Sequence, residues 1–170
     1  MYDIIDFHTH PFTEDANNIC SHIANCDMSV ENTRKTFGEL GVSKIVGSVL
    51  CRRGHGVDKD ASEWDAVKAS NDKALELREV YGDFYIPGFH VHPGFVRESC
   101  EEIERMAHLG VKLIGELVPY MHGWGDMGFT YASHEFDEIL DVAESYGMVV
   151  SLHSMWTDEM DAMVKKHGNV

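Results

Sequence analysis

The feature that most constrains the fold is a repeated order of strand, helix and glycine. Short apolar runs, typical of buried parallel strands, occur at about 3–8, 44–50, 84–92, 111–117 and 148–153. Amphipathic stretches that predict helices lie at about 30–40, 61–81, 97–109, 133–146 and 157–167. Ser29, Ser133 and Thr157 are the predicted helix caps. The predicted left-handed helix stops are Gly41, Gly82, Gly110, Gly147 and Gly168. Five such β/α units predict an α/β fold over 1–170 whose chemistry lies at the carboxyl ends of the strands.

Composition narrows the function classes. With 44% hydrophobic and 25% charged residues, the chain of 170 residues has an ordinary globular composition. It shows neither an apolar run long enough for a membrane span nor a signal peptide, so we expect a cytoplasmic protein with no membrane partner. Its four cysteines are scattered along the chain, and we expect them to be reduced thiols. The net charge of −15 argues against nucleic acid and favours a small-molecule substrate.

The first predicted strand ends in the sequence Asp6-Phe7-His8-Thr9-His10. Residues two apart leave an extended strand on the same face, so His8 and His10 would project together and could bind one cation. Asp6 shares that face one layer deeper. It is either an anchor that orients the ligands or a polar residue of the barrel floor.

Two more strand ends carry potential ligands. Glu116 lies at the end of the fourth predicted strand and His153 at the end of the fifth. Taken singly, Glu116 could be a solvated side chain and His153 a hydrogen-bonded core histidine. In a closed barrel, however, both would converge with His8 and His10 on one metal ion.

Three other residues are predicted to support the site or to contact substrate. His92 ends the third strand and either contacts substrate or plays a structural role beside Pro93. Arg53, in the densest basic cluster of the chain, could bind a substrate carboxylate or phosphate, or be ordinary surface charge. Trp124 belongs to an aromatic and glycine-rich loop that could form a pocket wall or lid.

These strand ends resemble the amidohydrolase superfamily, and especially its amidohydrolase-related (amidohydrolase 2) branch. The resemblance runs from Ile4 to about Val170, and its most specific parts are the His-x-His of the first strand and the histidine of the fifth. It implies a TIM-type (β/α) barrel of the metal-dependent hydrolase kind, with metal ligands at His8, His10 and His153. Glu116 would take the strand-four position that holds a lysine, often carboxylated, or a glutamate in relatives with two metals.

Two departures qualify this resemblance. The dipeptides Gly115-Glu116 and His92-Pro93 look equally like the TatD-related metal-dependent deoxyribonucleases, although the fuller motif that those enzymes carry after the glutamate is absent. The superfamily also places a histidine after strand six and a catalytic aspartate, the general base, after strand eight. The chain ends before either position. We therefore expect only the first five β/α units here, with a truncation at the start of strand six.

The predicted function is hydrolysis of a small amide, ester or lactone by a metal-activated water, with Glu116 and His153 as the catalytic residues present. Zinc is the first choice of metal, as one or two ions, with manganese or iron as alternatives. The alternative functions are decarboxylation of an aromatic or unsaturated acid, a TatD-like deoxyribonuclease, and an inactive metal-binding fragment or interaction module. An open sheet edge would favour a homo-oligomer.

Overall fold

Strands and helices alternate along the chain in the order that the sequence predicts. The computed structural model describes residues 3–11, 29–54, 56–155 and 157–170. Its internal contacts divide the chain into two compact units, Met1–Phe89 and His90–Val170. Both contain parallel strands joined by helices, which confirms the predicted α/β class. The TIM-type barrel and the single domain over 1–170 stay predictions.

The first unit contains a parallel sheet of three strands. Its elements, in chain order, are β1 (Ile4–Asp6), α1 (Val30–Glu39), β2 (Val42–Ser48), β3 (Arg52–Arg53), β4 (Gly56–Val57), α2 (Glu63–Tyr81), a 3₁₀ helix (Gly82–Phe84) and β5 (Tyr85–Phe89). The strand order is β1-β2-β5, and β3 and β4 form a separate small parallel pair. Side chains from β2, α2 and β5 dominate the core, which contains Ile45, Val49, Cys51, Ala74, Leu77, Tyr81, Phe84 and Tyr85.

The second unit combines two parallel strands with three helices. Its elements are a 3₁₀ helix (Pro93–Phe95), α3 (Val96–His108), β6 (Leu113–Leu117), α4 (His134–Ser145), β7 (Val149–Leu152) and α5 (Asp158–Lys166). Leu113 lies opposite Val149 and Leu117 opposite Leu152, so the carboxyl ends of β6 and β7 are adjacent. Helix α3 packs against α4, and the largest buried aliphatic and aromatic side chains of these two helices are Ile103, Met106, Phe136, Ile139 and Leu140.

Local hydrogen bonds explain where the helices begin. Ser29 and Thr157 each accept a hydrogen bond from the backbone N–H three residues on, as predicted. Ser133 lies at the N-cap of α4, but its hydroxyl accepts from a preceding backbone N–H instead of capping the helix. Helix α2 begins with a full capping box that was not predicted, in which Ser62 and Asp65 each accept from the other's backbone N–H.

Strand β1 departs from its prediction. It ends at Asp6 rather than at His8, and Ile4 and Ile5, predicted to be buried, are 45% and 52% exposed. The cause of the early end is local, because the Asp6 carboxylate accepts a hydrogen bond from the backbone N–H of His8 and turns the chain there. The small β3–β4 pair was also not predicted.

Four of the five predicted glycine stops have positive φ, but Gly168 does not. Helix α5 instead ends at His167, whose φ is −111° and whose imidazole Nε2 lies 2.6 Å from the Asp137 carboxylate of α4. A side-chain contact therefore replaces the left-handed glycine at this helix end. Within the described residues, no helix combines the length and apolar character needed to cross a bilayer.

Candidate functional site

The His-x-His pair lies immediately beyond β1. His8 is exposed and His10 half-buried, and their ring centroids are 5.7 Å apart with the planes nearly perpendicular. The hydrogen bond from the His8 backbone N–H to Asp6 Oδ1, 3.0 Å long, fixes the bend between strand and pair. Asp6 thus positions the backbone of the pair, because it binds a main-chain N–H rather than an imidazole.

The imidazole of His10 is held by the backbone of the neighbouring strand. Its Nδ1 lies 2.8 Å from the carbonyl oxygen of Ser48 at the end of β2. A carbonyl only accepts, so Nδ1 donates, and Nε2 is the basic nitrogen of the neutral ring. This arrangement, in which one ring nitrogen donates to a carbonyl, is how proteins commonly orient a histidine that binds metal through the other nitrogen.

A glycine in β2 allows the chain after β1 to approach this closely. Gly47 has φ +155°, and a Cβ built on it would lie 1.8 Å from the carbonyl oxygen of Thr9, the residue between the two histidines. The backbone N–H of Thr9 also donates to Val46 at 2.9 Å. The position of the histidine pair therefore depends on the absence of a side chain at residue 47.

In the second unit, Glu116 and His153 contact each other. Glu116 is a buried residue of β6, and His153 follows β7 with its side chain about half exposed. Nδ1 of His153 lies 3.1 Å from Oε1 of Glu116. Because the carboxylate accepts, this imidazole also donates from Nδ1, so the two predicted ligands orient each other.

Backbone contacts fix the ends of β6 and β7. The backbone N–H of His153 donates to the carbonyl of Leu117 at 2.9 Å, and the Tyr131 hydroxyl donates to the same carbonyl at 2.9 Å. Burial and the negative charge of Glu116 raise the pKa of Tyr131, so its hydroxyl remains a donor. Gly115 has φ +103°, and a Cβ there would lie 2.2 Å from the carbonyl oxygen of Ser151. A glycine thus permits close backbone approach at each site: Gly47 of β2 admits the chain at Thr9, and Gly115 of β6 admits β7 at Ser151.

His92 lies in the interior of the second unit. Its Nδ1 accepts from the backbone N–H of Gly94 at 2.9 Å, and its Nε2 donates to the carbonyl of His122 at 2.7 Å. Burial lowers the pKa of His92, and the hydrogen bond to His122 opposes that shift. With both ring nitrogens engaged inside the core, this placement favours the structural alternative for His92.

Trp124 and Arg53 also have clear local partners. Trp124 is fully buried and packs edge-on against the rings of His92 and Tyr131, so it lies beneath its loop rather than on the surface. Arg53 forms an ion pair with Glu63 at the start of α2 and is about half exposed. That pairing favours surface charge over a substrate contact for Arg53.

His122 was not among the predicted site residues. Its side chain is buried, and within the described residues neither ring nitrogen has a hydrogen-bond partner. Burial, followed by the nearby His92, lowers the pKa of His122 to about 4. Its ring lies 4.7 Å from that of His90, so the second unit contains a cluster of buried histidines. No spacing motif marks His122. It lies in the loop after β6, and only folding brings that loop against His90 and His92.

Comparisons with protein-family models, with curated proteins and with solved structures found no match to this chain.

Proposed function

We propose that this chain provides the metal centre of a hydrolase of the amidohydrolase kind. In this proposal His8 and His10 bind a divalent cation, and Glu116 and His153 are the further ligands that the sequence predicts. The observation that carries the proposal is the hydrogen bond from His10 Nδ1 to Ser48, because it presents Nε2 as the metal-binding nitrogen.

The chemistry of the donor set fits a divalent ion. Imidazole nitrogen and carboxylate oxygen are ordinary ligands of zinc, and they are also suitable for manganese and iron. Glu116 is a buried carboxylate, and such a group requires a partner of opposite charge or a strong donor. His153 supplies one donor to Glu116, and a divalent cation would supply opposite charge.

A divalent cation at this position would lower the pKa of a bound water toward 7 and polarise a substrate carbonyl. The residues of this chain then have separate roles. His10 is oriented by Ser48, and Glu116 is oriented by the Nδ1 proton of His153. Hydrolysis of a small amide, ester or lactone is the reaction that such an arrangement supports best.

The alternatives rest on weaker observations. Decarboxylation of an acid would use the same cation to hold the substrate carboxylate, but Arg53, the side chain predicted to assist it, is paired with Glu63. A deoxyribonuclease would have to bind a phosphate backbone with a chain of net charge −15. Neither alternative gains support from a specific contact.

Metal content tests the proposal directly. We expect protein purified without chelator, or reconstituted with zinc, to contain at least one equivalent of metal by inductively coupled plasma mass spectrometry. His8→Ala and His10→Ala should each weaken zinc binding by about tenfold or more. His134→Ala is the matched control, because His134 is an exposed histidine on α4 that contacts Glu138. No bound metal and no affinity for zinc, or equal occupancy in all three variants, would refute the site.

Turnover assays then separate the reaction classes. Metal-loaded protein should act on an amide, ester or lactone from a panel that also contains unsaturated acids and single-stranded DNA. Cleavage of DNA alone would contradict the proposed substrate class, and loss of carbon dioxide from the acids alone would favour the decarboxylase. Metal binding without any turnover would favour the inactive metal-binding fragment or interaction module.

A further inference from the structure

A cavity of about 370 Å³ lies in the second unit, directly beside His153. Residues of the loop after β6 and of the first turn of α5 form most of its walls. Its lining includes Tyr120, Phe129, Tyr131, His153, Thr157 and Glu159. The volume is at the small end of the range for ligand pockets, so the cavity suits a single ring with a short substituent.

The aromatic walls of the cavity are held in defined positions. Tyr131 is fixed by its hydrogen bond to the Leu117 carbonyl and by the edge of Trp124, whose ring centroid is 5.4 Å away. Tyr120 is 69% exposed, and its ring meets that of His153 edge-on at 5.7 Å. A large aromatic side chain so exposed at the mouth of a cavity gains contact area when a planar group binds against it.

The charge of the cavity is one-sided. Among the described residues that line it there is no Lys or Arg, and Glu159 is its carboxylate. A second carboxylate, Glu116, lies behind His153. An anionic ligand here would meet like charge without a cationic partner, whereas a neutral or cationic ring would not. The hydroxyl of Thr157 is available near the rim, although it also accepts the capping hydrogen bond of α5.

We propose that this cavity binds an uncharged aromatic or planar unsaturated group of the substrate and discriminates against an anionic one. The inference rests on the proposed function, because His153 would present such a substrate to the metal centre. It narrows the substrate class to neutral aryl or unsaturated amides, esters and lactones. Tyr120 and Glu159 are the residues that set this preference.

Three isosteric probes test the preference without any turnover: benzamide, benzoate and benzamidine. Binding is measured by titration calorimetry on the full chain after chelator treatment, so that a carboxylate cannot gain affinity from a metal. Benzamide and benzamidine should bind, and benzoate should bind about fivefold more weakly than benzamide or worse. Tyr120→Ala should lower the affinity for benzamide by about threefold to tenfold.

Glu159→Gln should bring the affinities for benzoate and benzamide within about twofold of each other. Glu135→Gln is the matched control: Glu159 and Glu135 are each the second residue of their helix, but Glu135 does not line the cavity. Circular dichroism verifies that each variant is folded.

Equal binding of benzoate and benzamide by the unmodified chain, or no binding of any probe, would overturn the inference. Zinc binding is measured on the same preparation. Zinc binding without ring selectivity overturns this inference alone. Ring selectivity without zinc binding overturns the proposed metal centre and leaves the ring-binding cavity supported.

Discussion

The strand ends after β1 and after β7 both position a histidine, but they use different partners. His10 donates from Nδ1 to the backbone carbonyl of Ser48, whereas His153 donates from Nδ1 to the side chain of Glu116. A backbone carbonyl in a strand keeps its place whether or not a ligand is bound. Glu116 is itself a predicted ligand, so the orientation of His153 depends on what Glu116 binds. The main chain therefore fixes the orientation of His10 in advance, whereas the orientation of His153 is set by a side chain that can rearrange.

A second contrast lies in the surroundings of the histidines. His8 and His10 are exposed or half-buried, whereas His90, His92 and His122 of the second unit are buried. Buried imidazoles resist protonation because the core solvates the charge poorly. Spacing in the sequence does not distinguish these two groups, since both contain a His-x-His.

The largest effects are expected from the two glycines that admit the strand ends. Gly47→Ala would place a Cβ 1.8 Å from Thr9 O, and Gly115→Ala would place one 2.2 Å from Ser151 O, both at positive φ. We expect each to lower the free energy of unfolding by about 2 kcal/mol or more in urea titrations. Gly38→Ala is the control, because Gly38 lies in the last turn of α1 and a Cβ there meets no atom within 4 Å. If Gly38→Ala and Gly47→Ala lower the free energy of unfolding equally, the close approach of residue 47 to Thr9 is contradicted.

An intermediate effect is expected from acid, acting on the second unit through His122. The folded-state pKa of His122 is about 4, below the ordinary value of 6.5, so the unfolded chain binds the proton more readily. Its contribution to stability is complete above pH 6.5 and is lost progressively as the pH falls toward 4. His122→Leu should flatten the dependence of the urea midpoint on pH over that range. His134→Leu, at an exposed position, should leave the dependence unchanged.

The smallest effects are expected from the single hydrogen bonds that support each strand end. Tyr131→Phe removes the donor to the Leu117 carbonyl and should cost about 1 kcal/mol, because that bond is largely buried. Asp6→Ala removes the acceptor for the exposed His8 N–H and should cost about 0.5 kcal/mol or less. Chemical denaturation of both variants checks the order. If Asp6→Ala loses more stability than Tyr131→Phe, the end of β1 depends on its side chains as much as the end of β6 does.

Much of the fold follows from local sequence signals. Among the described residues, the alternation of apolar runs with amphipathic stretches predicted the five α-helices and the five longer strands within a few residues, because strand and helix periodicities differ. Ser29 and Thr157 marked helix starts correctly, since a cap acts on the next three residues. The bend after Asp6 shortened β1, and the missing stop at Gly168 reflects a contact with Asp137, a residue distant in sequence.

The candidate site divides in the same way. The sequence by itself determined which residues lie at strand ends, His8 and His10 in one unit and Glu116 and His153 in the other, because strand ends are local features. Only the tertiary structure decided which nitrogen of His10 donates, that His92 and Trp124 are buried, and that Arg53 is paired. Those outcomes depend on carbonyls, rings and carboxylates brought together by packing, and no spacing along the chain encodes such contacts.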